Sequence, residues 1–137
     1  MINSAIQIRH PSDLPPKTNK NMLRLFGHHL CPYVERVRLV LAHKGIPYEN
    51  IEVDLMQRPK WFYAIHRGAV PVLETPDGKR YSESKLLMEL IDTTMTGGRP
   101  LLERDPFVRT ERALLMTYLD DLASNLFLTM LTKDPQK

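Results

Sequence analysis

The chain is predicted to fold as an α/β domain of element order βαβαββα, followed by the start of an all-helical segment. Three observations predict this. Short alternating or β-rich runs at residues 22–26, 48–53 and on both sides of Pro76-Asp77-Gly78 read as strands. Apolar residues recur at helical spacing after the first, second and last of these runs. Beyond Asp105 the strand pattern disappears and leucines repeat on one helical face.

The first strand, Met-Leu-Arg-Leu-Phe at 22–26, alternates and then meets Gly27. A helix follows Cys31. Pro32 suits its first position, Val34, Val37, Val40 or Leu41, and Lys44 track one face, Glu35, Arg36 and Arg38 sit elsewhere, and Gly45 supplies the stop. Residues 48–53 form the second strand. Strand, helix and strand with tight links predict a right-handed parallel crossover. Residues 59–65 begin with proline and carry Trp61 and Phe62, so a second helix is expected to dock on the sheet with both aromatics in the core. Residues 70–74 and 79–82 flank the Pro-Asp-Gly turn as a hairpin. A helix over 83–92 then starts near Ser82, with Leu86, Leu87, Leu90 and Ile91 on one side. Gly97, Gly98 and Pro100 mark a linker. The last helix starts after Asp105, a capping residue, and Pro106. Leu115, Leu119, Leu122 and Leu126, joined by Leu114, Tyr118, Phe127, Leu128, Met130 and Leu131, make it too apolar to stand alone in water. The organisation is therefore a proline-containing extension over 1–21, an α/β domain over 22–93, a linker over 94–104, and over 105–137 the first helix of a truncated helical domain.

Composition narrows the function. Hydrophobic residues make up 42% and charged residues 26% of the 137, as in a soluble globular protein. The net charge of +3 is spread among acids without a basic block, which argues against nucleic-acid binding. No apolar stretch reaches the roughly 18 residues of a membrane span. The first 20 residues, with prolines at 11, 15 and 16, build no apolar signal-peptide core. A single cysteine excludes an internal disulfide framework, so the expected location is the reduced cytoplasm.

That cysteine is the candidate nucleophile. Cys31 precedes a helix whose unpaired N–H groups favour a thiolate, and Val34 stands where a dithiol motif would carry its second cysteine. Any redox cycle therefore needs an external thiol. His28 and His29, adjacent at a strand end, are expected to point opposite ways, and without an evident third ligand no metal site is assigned.

The element order, with a cysteine after the first strand and Val-Pro before the third, is thioredoxin-like. Residues 22–131 resemble the first half of an omega-class glutathione transferase. The resemblance is carried by Cys31-Pro32-Tyr33 with Glu35-Arg36-x-Arg38-Leu39-Val40-Leu41, Lys44-Gly45-Ile46, Pro59-x-Trp61-Phe62, Val70-Pro71-Val72-Leu73-Glu74 and Tyr81-x-Glu83-Ser84. It implies that glutathione is a substrate, bound as an added strand by a backbone at Val70 whose bond to Pro71 is cis. Glu83 is expected to meet the γ-glutamyl ammonium, Ser84 the γ-glutamyl carboxylate, and Arg58 the glycyl carboxylate, with Tyr33 beside the thiol. Cys31 would form a mixed disulfide with glutathione, which a second glutathione resolves. The implied activities are thiol transfer and dehydroascorbate reduction on a small electrophilic or oxidised substrate, and the resemblance admits a homodimer.

Duller readings stand beside these. Glu83 and Ser84 would serve equally as a helix cap, Arg58 as a solvated cation, and Tyr33 as packing. The alternative function is a truncated, non-catalytic glutathione- or partner-binding relative, including one of chloride-intracellular-channel type. Between the second helix and Val70 the chain reads His66-Arg67-Gly68-Ala69, one residue shorter than the Asn-Pro-x-Gly-x pattern of the family.

Overall fold

The computed structural model describes residues 6–131, so the outer ends of the predicted extension and final segment lie outside the described residues. So do the side chains of Met130 and Leu131, both assigned above to the last helix. The described chain runs β1 (Ile6–Ile8), β2 (Leu23–Gly27), α1 (Pro32–Lys44), β3 (Tyr48–Val53), α2 (Lys60–Tyr63), a 3-10 turn (His66–Gly68), β4 (Val72–Glu74), β5 (Arg80–Ser82), α3 (Ser84–Thr94) and α4 (Pro106–Leu131). It divides into two compact units at Arg99 and Pro100.

In the first unit the strands form one sheet of order β1-β3-β2-β4-β5. β2 and β3 are parallel, as the predicted crossover requires, and β4 and β5 are antiparallel additions. The hairpin turn forms at the Pro-Asp-Gly sequence, where Gly78 takes a φ of +83°. β1 is new relative to the sequence reading: part of the N-terminal extension pairs parallel with β3, Ile6 opposite Ile51 and Ile8 opposite Val53. Further along, the Asp13 carbonyl accepts the Trp61 indole N–H at 2.6 Å, and Arg24 donates to the Lys17 carbonyl at 2.7 Å.

The core lies on both faces of the sheet. On one, Leu23, Leu25 and Leu73 meet α1 through Val34, Val37, Val40 and Leu41, and α3 through Leu87 and Ile91. On the other, Phe26, Ile51, Val53 and Val72 enclose Phe62 and Ile65. Each fully buried side chain of this kind contributes roughly 1.5–3 kcal/mol. α1 ends as predicted, with Gly45 left-handed at φ +65°. α2 is a single turn rather than the longer helix expected over 59–65, because the backbone turns extended at Ile65 and left-handed at His66 and Arg67. Phe62 is core as expected, and Trp61, only partly buried, packs edge-on against it.

Two ion pairs of this unit are buried among the described residues. Arg24 on β2 faces Glu74 on β4, with Nη2 2.6 Å from Oε1, and Arg80 holds the other carboxylate oxygen at 2.7 Å. Lys44 at the end of α1 reaches Asp92 on α3 at 2.9 Å. Gly97 and Gly98 then cross the C-terminus of α1 so closely that a Cβ on Gly97 would sit 2.1 Å from the Lys44 carbonyl oxygen. In the second unit Asp105 caps α4, its carboxylate accepting the Phe107 N–H at 2.8 Å. Leu114, Leu115, Tyr118, Leu119, Leu122 and Leu126 are exposed along that helix. No helix among the described residues is long and apolar enough to cross a membrane.

Two outcomes are expected in urea unfolding. Arg24→Met, which leaves Glu74 buried without its main partner, should cost about 3–5 kcal/mol, whereas Arg24→Met with Glu74→Leu should recover much of the loss. Gly97→Ala should destabilise by about 1–3 kcal/mol through backbone displacement at the α1 end, and an unchanged midpoint would contradict the close approach.

Candidate functional site

Sheet register gathers the predicted residues at one end of the sheet. β2 runs out at Gly27 and leads through His28–Leu30 to Cys31. Phe26 pairs with Val72 in antiparallel register, so Val70 and Pro71 lie beside the exit of β2. Val72 pairs in turn with Ser82, which puts Glu83 and Ser84 at the same end. β3, parallel to β2, also finishes there and leads to Arg58.

Cys31 occupies the N-cap position of α1, with Pro32 at the first turn. Its backbone carbonyl accepts the N–H groups of Val34 and Glu35 at 3.1 Å, and its own N–H donates to the His28 carbonyl. Cys31 as a residue is only 3% exposed, within the core cluster against which Tyr33 and Val70 pack. Tyr33 also receives the Arg36 guanidinium over its ring at 5.1 Å. α1 can start this close to β2 because Gly27 lacks a side chain: a Cβ there would come within 2.5 Å of Val34 Cγ1. The Val70-Pro71 bond is cis, as expected.

Glu83 precedes α3 in a left-handed conformation, φ +71°, and its side chain makes no capping hydrogen bond. Glu83 is thus the N-cap by its backbone position, its carbonyl accepting the Leu87 N–H at 2.9 Å, while its side chain caps nothing. Its carboxylate turns to the loop before β4, where Oε1 lies 3.0 Å from His66 Nε2. His66 Nδ1 lies 2.9 Å from Ser82 Oγ. Ser84 is buried at the first position of α3. Arg58 follows the end of β3. Its guanidinium lies over Tyr63 at 6.0 Å and its Nε is buried without a hydrogen-bond partner. Sequence reasoning missed His66, whose only signal was the departure from the family loop pattern.

The two histidines before Cys31 also differ from expectation. Their rings stack at 4.4 Å instead of diverging, since both lie in the turn after β2 where strand alternation no longer applies. Glu52, brought alongside by β3, is the third donor that the sequence does not reveal, and donor atoms of all three lie within 4.8 Å of one another. They line a cleft of about 490 Å³ with Gln7, Arg9 and Asp54. These donors are already engaged with other protein groups. Glu52 Oε1 accepts from the His29 N–H and lies 2.7 Å from His29 Nδ1, Arg38 approaches Glu52 Oε2 at 3.4 Å, and His28 Nδ1 accepts the Leu30 N–H. Burial and the neighbouring His29 hold the His28 pKa below the usual histidine value. Burial pushes the Glu52 carboxyl up, but the His29 hydrogen bonds and the Arg38 charge outweigh it, so the net shift is downward.

Residues 30–94 match the family model for the glutathione S-transferase N-terminal domain. The chain is 34% identical over 106 residues to human glutathione S-transferase omega-2, covering 77% of this chain and 43% of that protein. It is 36% identical over 109 residues to pyrimidodiazepine synthase of Drosophila melanogaster, covering 77% and 44%. Among solved structures it is similar to glutathione transferase Omega 3C from Trametes versicolor, with 35% identity, TM-score 0.58, and coverage of 73% of this chain and 44% of that one. It also resembles rice GST1 in complex with glutathione, with 27% identity, TM-score 0.62, and coverage of 72% and 47%. The chain spans less than half the length of the curated relatives it matches. Residues 30–94 thus belong to the glutathione S-transferase N-terminal domain family, and the chain is similar to the omega class of the glutathione transferases.

Proposed function

We propose that the chain is a glutathione-dependent thiol transferase and dehydroascorbate reductase of the omega type, acting through Cys31. The observation that carries the reading is the convergence of Cys31, Val70-Pro71 and Glu83-Ser84 at one end of the sheet, set by the β2–β4–β5 register. Glutathione, a tripeptide, would lie along the Val70 backbone as an added strand. The Glu83 carboxylate takes its ammonium, and the α3 N-terminus with Ser84 its γ-glutamyl carboxylate. Arg58 takes the glycyl carboxylate, a role supported by its unspent Nε donor.

In the reaction, the Cys31 sulfur attacks the glutathione sulfur of a mixed disulfide. The substrate sulfur leaves with the electron pair of the broken S–S bond and takes up a proton. A glutathione thiolate then attacks the Cys31 mixed disulfide, releasing oxidised glutathione and regenerating the Cys31 thiolate. With dehydroascorbate, two glutathiones supply the two electrons and two protons. Tyr33 and Val70, only partly buried, form the side from which the sulfur is approached. The lone cysteine suits a reduced cytoplasmic compartment.

A second reading, glutathione binding without turnover, is favoured by the exposed apolar side chains of α4. In the family a complete helical domain supplies the second-substrate pocket and much of a dimer interface, and those parts belong to the length not spanned here.

Incubation with oxidised glutathione should give a single adduct, located at Cys31 by mass spectrometry and reversed by reduced glutathione. Cys31→Ala should yield no adduct and drop mixed-disulfide and dehydroascorbate reduction to the uncatalysed background. Unchanged rates in that variant would sink the proposal, and an adduct without turnover would select the binding reading. Glu83→Gln should weaken glutathione binding about tenfold, as expected for loss of a charge-assisted hydrogen bond, while leaving the mass-spectrometric adduct site unchanged.

A further inference from the structure

We infer that His66 is a positioning residue that aims Glu83 at the ammonium of glutathione; this rests on the site reading proposed above. The contacts are specific. His66 Nε2 lies 3.0 Å from Glu83 Oε1, and since an ionised carboxylate carries no proton, the ring nitrogen facing it is the protonated one. In the neutral ring Nδ1 is then left as an acceptor, and the Ser82 hydroxyl at 2.9 Å supplies the proton. Ser82, His66 and Glu83 thus form a chain of polar contacts, a hydrogen bond from Ser82 to His66 and a close ion-pair contact from His66 to Glu83, that ties the loop before β4 to the junction of β5 and α3.

The backbone is arranged to make this chain. His66, Arg67 and Glu83 are the positive-φ residues other than glycine among those described, at φ 45°, 55° and 71°. Such conformations are uncommon for residues of these types and persist only where surroundings impose them. Both ends of the His66–Glu83 contact are therefore held in strained conformations. The shortened His66-Arg67-Gly68-Ala69 loop brings the imidazole to Glu83, and Gly68 at φ +72° lets the chain pass close to Tyr63 and Arg58. Glu83 is 64% exposed, so without His66 its side chain would sample solvent rotamers. With Oε1 fixed by His66, Oε2 is left to the ligand ammonium.

The test compares the wild-type chain, His66→Asn and His66→Gln by calorimetric titration with two ligands: glutathione, and glutathione whose γ-glutamyl amino group is replaced by hydrogen. Asparagine tolerates the left-handed backbone and keeps an acceptor near Nδ1, but it cannot reach Glu83. Glutamine places an amide donor close to Nε2. Losing one pre-ordered side chain should weaken glutathione binding by His66→Asn about fivefold, with His66→Gln staying within about twofold of wild type. All three proteins should bind the des-amino ligand with equal affinity. A His66→Asn protein that binds glutathione as well as wild type, or loses equally for both ligands, overturns the positioning role and leaves the site reading standing. Failure of glutamine to rescue overturns it also. A wild-type chain that binds neither ligand overturns the site reading and the positioning role together.

Discussion

All five residues of β2 are buried, and this is the constraint on which the rest of the domain depends. A strand buried on both faces and both edges needs parallel β3 on one side, β4 on the other, and helices above and below. Its charged member, Arg24, must then find an acid on a neighbouring strand, which Glu74 provides across the β2–β4 register. Desolvating that pair is costly, and Arg80 together with the carbonyls of Pro16 and Lys17 completes the hydrogen bonding that makes it tolerable. The N-terminal segment is thereby tied to the strand it precedes.

The same strand dictates where chemistry can occur. Its open end at Gly27 is the one place where the sheet offers loops and helix N-termini instead of packed side chains, as expected for the carboxyl end of parallel strands. Gly27 allows α1 to begin close against the strand, which fixes Cys31 at the helix start. From the antiparallel side, β4 and β5 deliver Val70-Pro71 and Glu83-Ser84 to that end. The strained residues of the domain collect there as well, at His66, Arg67 and Glu83. Each of those points adjoins the paired β4–β5 hairpin, His66 and Arg67 just before β4 and Glu83 just after β5.

Sequence patterns settled those elements whose signals are local. Pro32 and Gly45 bound α1 because one fits a first turn and the other a left-handed stop. The Pro-Asp-Gly turn closes the hairpin by its own backbone preferences, and the 48–53 run gives β3 without adjustment. β1 is invisible locally: Ile6–Ile8 is too short for a period, and becomes a strand only by bonding to β3. α2 falls short of its apolar pattern because the chain turns extended at Ile65 and then left-handed at the next two residues. Stacking of His28 on His29 likewise follows from the turn that leaves β2.

By itself the sequence determined the βαβαββα order, the lone thiol at a helix start, and the motifs that mark the family, since each depends on residues within a turn or two of one another. Only the tertiary structure decided that the Glu83 side chain meets His66 instead of capping α3, that Glu52 joins the two histidines, and that the extension supplies an edge strand. Those contacts join residues 17 to 45 positions apart, and strand register, which no local pattern encodes, brings them together.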